Sequence, residues 1–400
     1  MITRRVLKKL LITLAAVLTT LTAYAQGGNT GDGGPDGNYS SLSERLFNLE
    51  KKHDNLGIFI NYAGSFQEDV PELYSAFRAR ELRLEAKGNF GEHLTYRLRH
   101  RLNKSNAPGS EETFSKATDI MQIGWKFNDK WSLIGGKMCQ FWGGFEYDEN
   151  PMFIYQYSDL VGYSDIFLTG AAVLFSPVPT QEFILNVTDS YSGKFVDEYG
   201  AGAKTYDGQE LEGSRHPLCY IFNWNASYLD GIFKTRWAVG SYTQARIVDS
   251  SEGDLHNRLV YLGQSLNFPR FQIYFDIIKS WEDIDRLRIA SPLLCRDGVY
   301  LTDVRYDAML TKANWQFADK FNLMGKLMYD TSSTPFMPTF RKSLGYIASL
   351  EYYPMKDQDL RFFTAFIGKN LRYSPESGLQ KLDGFTGRIE LGFMYRIKAY

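Results

Sequence analysis

A period of two dominates the chain from Leu56 onwards. Segments of about ten residues alternate apolar and polar side chains, which is typical of β-strands whose two faces meet different surroundings. Between Leu94 and Asn103, arginines occupy alternate positions among leucines, a tyrosine and a histidine. The segment Phe385–Lys398 separates apolar from charged residues in the same way. The pattern therefore predicts an all-β fold.

Two kinds of connection separate these segments, and they take turns along the chain. Seven are tight and rich in Asn, Asp, Gly and Pro, as hairpin turns require: Lys87–His93, Phe127–Trp131, Ser176–Gln181, Tyr228–Phe233, Asn267–Phe271, Phe317–Phe321 and Tyr353–Leu360. The others are mostly long and polar: Asn103–Lys116, Phe141–Asp165, Tyr191–His216, Ala245–His256, Trp281–Gly298 and Thr331–Lys342. Seven hairpins give fourteen strands, and a first strand over Leu56–Phe66 and a last over Phe385–Lys398 bring the count to sixteen.

This order predicts a 16-stranded antiparallel transmembrane β-barrel, with short periplasmic turns at one end and long extracellular loops at the other. A soluble β-sandwich does not sort its loops by end so regularly. Two segments depart from the alternation. Val299–Phe317 changes parity near Ala308, which predicts a β-bulge or a bend into the loop. Ile166–Phe175 is apolar on both parities, which predicts contact with another subunit or with a loop inside the barrel.

The residues before the barrel indicate export. Residues 1–25 combine basic residues, the apolar run Leu10–Thr22 and the small residues of Ala23–Ala25, which predicts a cleaved signal peptide. The run is shorter than the roughly 20 residues that a spanning helix needs, which disfavours an uncleaved anchor. Residues 26–55 are predicted to be a periplasmic Gly-rich linker followed by a short amphipathic helix over Ser41–Asp54. The barrel then occupies residues 56–400.

Composition excludes several other classes of function. The formal net charge of −1 does not suggest nucleic-acid binding. The cysteines Cys139, Cys219 and Cys295 form an odd set without metal-ligand spacing, and their disulfide state stays open. The sequence contains no H-E-x-x-H or G-x-S-x-G motif, so we predict neither catalytic residues, nor a metal, nor a cofactor.

The alternate arginines carry the main functional signal. An arginine on the lipid face near the bilayer midplane costs about 2–4 kcal/mol, so Arg97, Arg99 and Arg101 are expected to point into an aqueous lumen. The neighbouring strand places Glu81 and Glu85 on its lumen parity, and these carboxylates could neutralise the arginines as lumen filler. The alternative is a wall that guides anions. Six cations are predicted to line the pore: Arg83, Arg97, Arg99, Arg101, Lys326 and Arg388.

Two stretches resemble the phosphate-selective porin O and P family, in a form typical of Bacteroidetes outer membranes. Arg83–Leu102, "RLEAKGNFGEHLTYRLRHRL", is similar to the second hairpin of that family. Ile134–Pro151, "IGGKMCQFWGGFEYDENP", resembles its Gly-Lys/Gln strand running into a Phe-Gly-Glu loop start. The resemblance implies a homotrimeric, sixteen-stranded porin of a Gram-negative outer membrane. It also implies that the third long loop folds into the lumen as a constriction.

That loop, Phe141–Asp165, departs from the lysine-bearing constriction of the best-known members of the family. It contains no lysine or arginine and five carboxylates, which we predict to be the constriction residues: Glu146, Asp148, Glu149, Asp159 and Asp165. An acidic loop opposite a basic wall predicts a transverse electric field like that of a general porin.

The sequence thus predicts passive diffusion of small polar or anionic solutes, phosphate among them, through an outer-membrane porin. The expected partners are outer-membrane lipid, the solutes and two further copies of the chain. Two alternatives stay open: a loop-plugged barrel that binds glycans or mediates adhesion, and a barrel hydrolase. The sequence names neither the solute nor any gating.

Overall fold

Sixteen antiparallel strands form one closed barrel in the computed structural model, which describes residues 54–109, 111–249, 253–355 and 358–399. They are β1 Asp54–Val70, β2 Tyr74–Phe90, β3 Leu94–Arg101, β4 Thr118–Lys126, β5 Trp131–Cys139, β6 Phe167–Val178, β7 Gln181–Asp189, β8 Leu218–Tyr228, β9 Phe233–Ile247, β10 Asp254–Phe268, β11 Phe271–Glu282, β12 Val304–Ala318, β13 Phe321–Thr334, β14 Met337–Tyr352, β15 Asp359–Tyr373 and β16 Gly384–Lys398. The predicted signal peptide and linker, and the predicted helix up to residue 53, lie outside the described residues.

The barrel closes between its first and last strands. β1 pairs with β16 from Phe59 opposite Lys398 to Val70 opposite Gly387, and its other edge pairs with β2. Every other barrel strand pairs with its neighbours along the chain. Closure removes the free edges that a bilayer does not tolerate, because unpaired backbone groups cannot find water there. The predicted sixteen-stranded barrel is confirmed.

Only short elements lie between the barrel strands in the described residues. The helices are Asp159–Gly162, Phe195–Tyr199 and Ser291–Leu294, the 3-10 turns are Pro151–Phe153, Pro375–Ser377 and Gln380–Leu382, and the extra strands are Lys204–Thr205, Leu211–Gly213 and Val299–Tyr300. No described helix has both the length and the apolar character needed to cross a membrane.

All seven predicted tight turns join consecutive strands at one end of the barrel, which we call the turn end. At the opposite, loop end, several connections are shorter than expected: residues 71–73 alone join β1 to β2, and residues 248–253 join β9 to β10. The predicted long loop Thr331–Lys342 is mostly strand, because β13 continues to Thr334 and β14 begins at Met337. The inward-facing Ser332 and Thr334 are buried although they are polar, so no alternation of apolar and polar residues marks this part of the strand in the sequence.

The two faces of the wall are clearest on β13. Its outward-facing Phe321, Leu323, Leu327 and Tyr329 are 37–55% exposed, whereas the inward-facing Asn322, Met324, Lys326, Met328 and Asp330 are at most 4% exposed. An outer surface of this composition fits hydrocarbon, and the inner face carries the polar and charged side chains.

The predicted bulge near Ala308 is wrong. β12 pairs without interruption with β11 from Val304 to Trp315, and its irregularity lies near the turn, between Trp315 and Ala318. The inward-facing residues of this strand include apolar ones, Ala308 and Leu310, because protein covers the inner face there. β6 shows the same effect, since its inward-facing Leu168 and Leu174 are fully buried.

A charge on the outer face of β13 provides a test of this orientation. Leu327 lies about halfway along the strand and is 55% exposed. We expect Leu327→Arg to lower the free energy of unfolding in lipid vesicles by about 2–4 kcal/mol, measured by urea titration, because the guanidinium would enter hydrocarbon. Leu327→Met is the control, with a loss below about 1.5 kcal/mol. An arginine variant as stable as this control would contradict the assigned orientation.

Candidate functional site

The connection between β5 and β6, residues 140–166, folds into the barrel, and we call it the lumen loop. Its aromatic side chains pack on aromatic rings of the inner wall. Phe145 stacks on Tyr274 with ring centroids 5.8 Å apart, and Tyr155 meets Phe363 edge-on at 5.0 Å. The buried core of the molecule therefore lies between this loop and the inner faces of β8 to β16.

Gly144 brings the backbone of the lumen loop unusually close to the wall. Its φ of 75° lies in the left-handed region, and a Cβ built there would lie 2.0 Å from the ring of Tyr261. Only glycine fits both conditions. The loop is thus seated directly on the wall immediately before its first carboxylate, Glu146.

Two carboxylates of the wall bind backbone amides at separate points of the loop. Asp276 accepts hydrogen bonds from the N–H groups of Phe145, at 2.9 Å, and Glu146, at 2.8 Å. Asp330 accepts one from the N–H of Asp159 at 3.1 Å. These bonds satisfy amides that have no strand partner inside the barrel.

Cations of the wall bind the carbonyls between those two points. Five consecutive carbonyl oxygens each accept a hydrogen bond: Met152 from Arg361 at 2.9 Å, Phe153 from Lys312 at 3.1 Å, Ile154 from Arg80 at 3.2 Å, Tyr155 from Arg388 at 2.9 Å and Gln156 from Lys326 at 2.8 Å. An irregular segment at membrane depth requires such partners, because its backbone groups are otherwise buried without hydrogen bonds.

Four of the five predicted constriction carboxylates also face the wall that carries the loop. Their ion pairs are Glu146 with Lys326, Asp148 with Arg236, Glu149 with Lys312, and Asp159 with both Arg341 and Lys369. Burial acts to raise the pKa of Asp159, but Arg341 and Lys369 outweigh it and hold that pKa below its usual range. The expected acidic surface opposite the basic wall is therefore not observed at these positions, since each charge is neutralised beneath the loop.

The fifth carboxylate, Asp165, lies apart from this group. It is exposed near the end of the loop, two residues before β6 begins, and Lys137 is the cation with the largest electrostatic effect on it. The structure thus does not bring Asp165 together with the other four residues.

Four of the predicted arginines lie together on β2 and β3, with Arg396 of β16 beside them, and we call this cluster the arginine wall. It consists of Arg83, Arg97, Arg99, Arg101 and Arg396 with the carboxylates Glu81, Glu85 and Asp119. Five cations against three carboxylates leave a formal charge of 5 − 3 = +2. A single carboxylate oxygen of Asp119 lies within 3.6 Å of guanidinium nitrogens of three arginines, Arg83, Arg99 and Arg101.

Exposure separates the members of the arginine wall. The side chains of Arg97 and Arg101 are 27% and 31% exposed, whereas those of Arg83 and Arg99 are 4% and 8% exposed. Arg99 also packs its guanidinium 4.9 Å from the ring centroid of Phe167. Arg97 and Arg101 are therefore the members that present charge to water, and the other two support them from within the wall.

Tyr157 connects the lumen loop with the arginine wall. Its phenol is within electrostatic range of Arg83 and Arg99 of the arginine wall and of Glu146 of the loop. Burial raises the pKa of this phenol, which stays protonated and can donate a hydrogen bond. No sequence pattern distinguishes this tyrosine from the other aromatic residues of the loop.

The six predicted pore-lining cations thus fall into two groups. Arg83, Arg97, Arg99 and Arg101 form the arginine wall, whereas Lys326, 3% exposed, and Arg388 bind the lumen loop. Sequence reasoning missed further cations that bind the loop: Arg80, Arg236, Lys312, Arg341, Arg361 and Lys369. One feature of the sequence could have indicated these cations. The loop contains five carboxylates and no lysine or arginine, so carboxylates buried inside the barrel need cations from inward-facing strand positions as partners.

Within the described ranges, no group of histidine, cysteine, aspartate and glutamate residues is arranged to hold a metal ion. Cys139, Cys219 and Cys295 are free thiols.

Comparison with known families decides the identity of this barrel. The sequence profile described as phosphate-selective porin O and P matches residues 55–397. The chain belongs to this family. It is an outer-membrane β-barrel porin, and the predicted family is confirmed. No curated protein sequence matches the chain.

Solved structures share the fold of this porin at low sequence identity. The outer-membrane channel DcaP of Acinetobacter baumannii is similar with a TM-score of 0.61 and 12% identity, over 86% of this chain and 97% of DcaP. The trimer form of OmpT from Vibrio cholerae has a TM-score of 0.55 and 9% identity, over 86% and 100% of the two chains. The anion-selective porin from Comamonas acidovorans has a TM-score of 0.52 and 9% identity, over 86% of this chain and 100% of that porin. The likeness concerns the barrel fold.

The buried pair between Lys326 and Glu146 tests how the lumen loop is held. We expect Lys326→Met to lower the free energy of unfolding by about 3–5 kcal/mol, because it leaves the Glu146 carboxylate buried without its cation. Adding Glu146→Gln should restore part of that loss, measured by urea titration of the porin in vesicles.

Lys320→Met, at an exposed position of a tight turn, is the control and should change stability by less than about 0.5 kcal/mol. Strictly additive effects of Lys326→Met and Glu146→Gln would contradict the pair as the link between loop and wall.

Proposed function

We propose that this porin conducts small anionic solutes, phosphate among them, by passive diffusion along the arginine wall. The observation that carries the proposal is the formal surplus of two positive charges in that wall. Fixed charges lining a narrow aqueous path replace part of an ion's lost hydration and favour ions of the opposite sign. Arg97 and Arg101, the more exposed arginines, are the residues that attract the solute.

The pairing of the loop carboxylates supports an anion preference. Glu146, Asp148, Glu149 and Asp159 each face a lysine or arginine of the wall. An unpaired acidic loop would oppose the arginine wall and attract cations, as in the transverse field expected from the sequence. With these charges compensated, the arginine wall dominates the potential along the path.

The lumen loop sets the narrowest level of the path in this proposal. Tyr157 of this loop is within electrostatic range of Glu146 and of the buried Arg83 and Arg99, and we infer that its ring narrows the space through which a solute passes. Its protonated phenol adds a hydrogen-bond donor to the guanidinium donors of Arg97 and Arg101, which suits an oxyanion better than a bare cation.

Assembly and export complete the proposal. The similar OmpT barrel is described in a trimer form, and the similar Comamonas barrel is described as anion-selective. We infer a homotrimer for this porin, inserted in the outer membrane after cleavage of residues 1–25. Its proposed partners are outer-membrane lipid and the diffusing solutes.

Ion selectivity of the Arg97→Gln/Arg101→Gln variant tests the charge argument. Removing two cations takes the formal charge of the arginine wall from +2 to (5 − 2) − 3 = 0. We expect the permeability ratio of chloride to potassium, measured from the reversal potential across a planar bilayer in a KCl gradient, to fall towards one.

The matched control is Arg258→Gln/Arg305→Gln, which removes the same charge from the outer surface of the barrel and should keep the ratio of the natural porin. A lumen variant with an unchanged ratio would overturn the role of the arginine wall. A folded porin that never conducts would favour the loop-plugged binding barrel instead.

The size of the opening is tested at Tyr157. We expect Tyr157→Ala to raise the single-channel conductance in planar bilayers, because it removes a ring between the lumen loop and the arginine wall. Tyr163→Ala is the control, since Tyr163 belongs to the same loop and is 55% exposed. Equal conductance of both variants and the natural porin would exclude Tyr157 from the constriction.

A further inference from the structure

The outer surface of the barrel carries a row of cations that the channel function does not use. We call Arg258, Lys279, Arg305, Lys342 and Arg372 the basic belt. They lie on β10, β11, β12, β14 and β15, at outward-facing positions, and all five are exposed. They face the surroundings of the barrel, not its lumen.

The basic belt lies at one depth relative to the membrane. Four of its members are separated by ten residues from an outward-facing aromatic residue at the turn end of the same strand: Arg258 from Phe268, Arg305 from Trp315, Lys342 from Tyr352 and Arg372 from Phe362. At about 3.3 Å per residue and a tilt of about 40°, ten residues rise by about 25 Å, which is the height of the apolar band of such barrels. The belt therefore lies at the outer boundary of the bilayer, next to the loop end.

Strand pairing places the members of the belt side by side. Arg258 and Arg305 both pair with Trp281, which lies between them on β11. Lys342 on β14 pairs with Arg372 on β15. The belt thus spans the six adjacent strands β10 to β15 and is interrupted only at β13, which carries no member.

The belt has few carboxylates of its own. Lys279 pairs with Asp307 at 2.9 Å. In the part of the chain that the structure describes, no carboxylate forms an ion pair with Arg258, Arg305, Lys342 or Arg372. Unpaired cations beside hydrocarbon are unfavourable unless an anion of the surroundings meets them, and headgroup phosphates lie at this depth.

An apolar groove adjoins the belt at Arg258. It has a volume of about 650 Å³ and lies on the outer surface of β7 to β11. Arg258 and Ser241 lie at its edge, paired across β9 and β10. The apolar side chains that line it are Leu185, Tyr220, Phe222, Val239, Val260 and Trp281. A guanidinium beside an apolar groove matches a phosphate headgroup beside its acyl chains.

We propose that the basic belt and this groove bind a phosphorylated, multiply acylated lipid of the outer leaflet. The acyl chains pack along the groove, and the headgroup phosphates bridge Arg258, Arg305, Lys342 and Arg372. Because the belt spans β10 to β15, such lipid would cover the outer surface of these strands as far as the neighbour of β16.

Lipid binding by the folded porin in detergent micelles tests the proposal, with monophosphoryl lipid A as the probe and native mass spectrometry as the readout. The variant is Arg258→Gln/Arg305→Gln/Lys342→Gln/Arg372→Gln. Each cation near an anionic lipid surface contributes about fivefold in affinity, so the variant should bind the probe more than about a hundredfold more weakly.

A matched control removes four cations at the turn end: Lys126→Gln/Lys130→Gln/Arg270→Gln/Lys320→Gln. This control should bind the probe like the natural porin, and the same lipid without its phosphate should bind all three proteins equally weakly. Equal affinity of the belt variant and the natural porin would overturn the proposal. So would dissociation of the oligomer in the belt variant, because the belt would then contact a second copy of the chain.

Discussion

Every backbone amide and carbonyl inside a membrane barrel needs a partner from the protein, and this requirement governs the arrangement of the whole lumen. The sixteen strands meet it through their closed ladder of hydrogen bonds. The lumen loop cannot, because its backbone is irregular and packed against the wall. Asp276 and Asp330 therefore bind its amides, while lysines and arginines bind five consecutive carbonyls between Met152 and Gln156. Much of the charge in the lumen serves this purpose and is unavailable to a solute.

The sequence predicted the wall better than its contents. Alternation and turn composition located all sixteen strands and the inward orientation of Arg97, Arg99 and Arg101, because each strand residue meets either lipid or the lumen. Alternation alone could not distinguish Lys326, which binds the loop, from Arg97, which faces water. That difference depends on where the loop lies, and non-local contacts determine its position. The same contacts misled the interpretation of β12, where Leu310 is apolar because the loop covers it.

Two parts of the lumen thus carry different electrostatics. On the side of the lumen loop, the carboxylates that the sequence marked as an acidic constriction are compensated by the wall beneath them. On the side of β2, β3 and β16, arginines outnumber carboxylates. Membership in the phosphate-selective porin O and P family agrees with a path for anions, although the loop lacks the lysines that the family resemblance implied. The surplus of positive charge here comes from the wall instead.

The most direct test is the zero-current potential of the natural porin in a planar bilayer with a tenfold gradient of potassium phosphate. The account predicts the sign that corresponds to phosphate crossing more readily than potassium, and a smaller magnitude as ionic strength rises and screens the arginine wall. A potential of the opposite sign at every salt concentration would show that cations are preferred, and would contradict the conclusion that the loop carboxylates are neutralised.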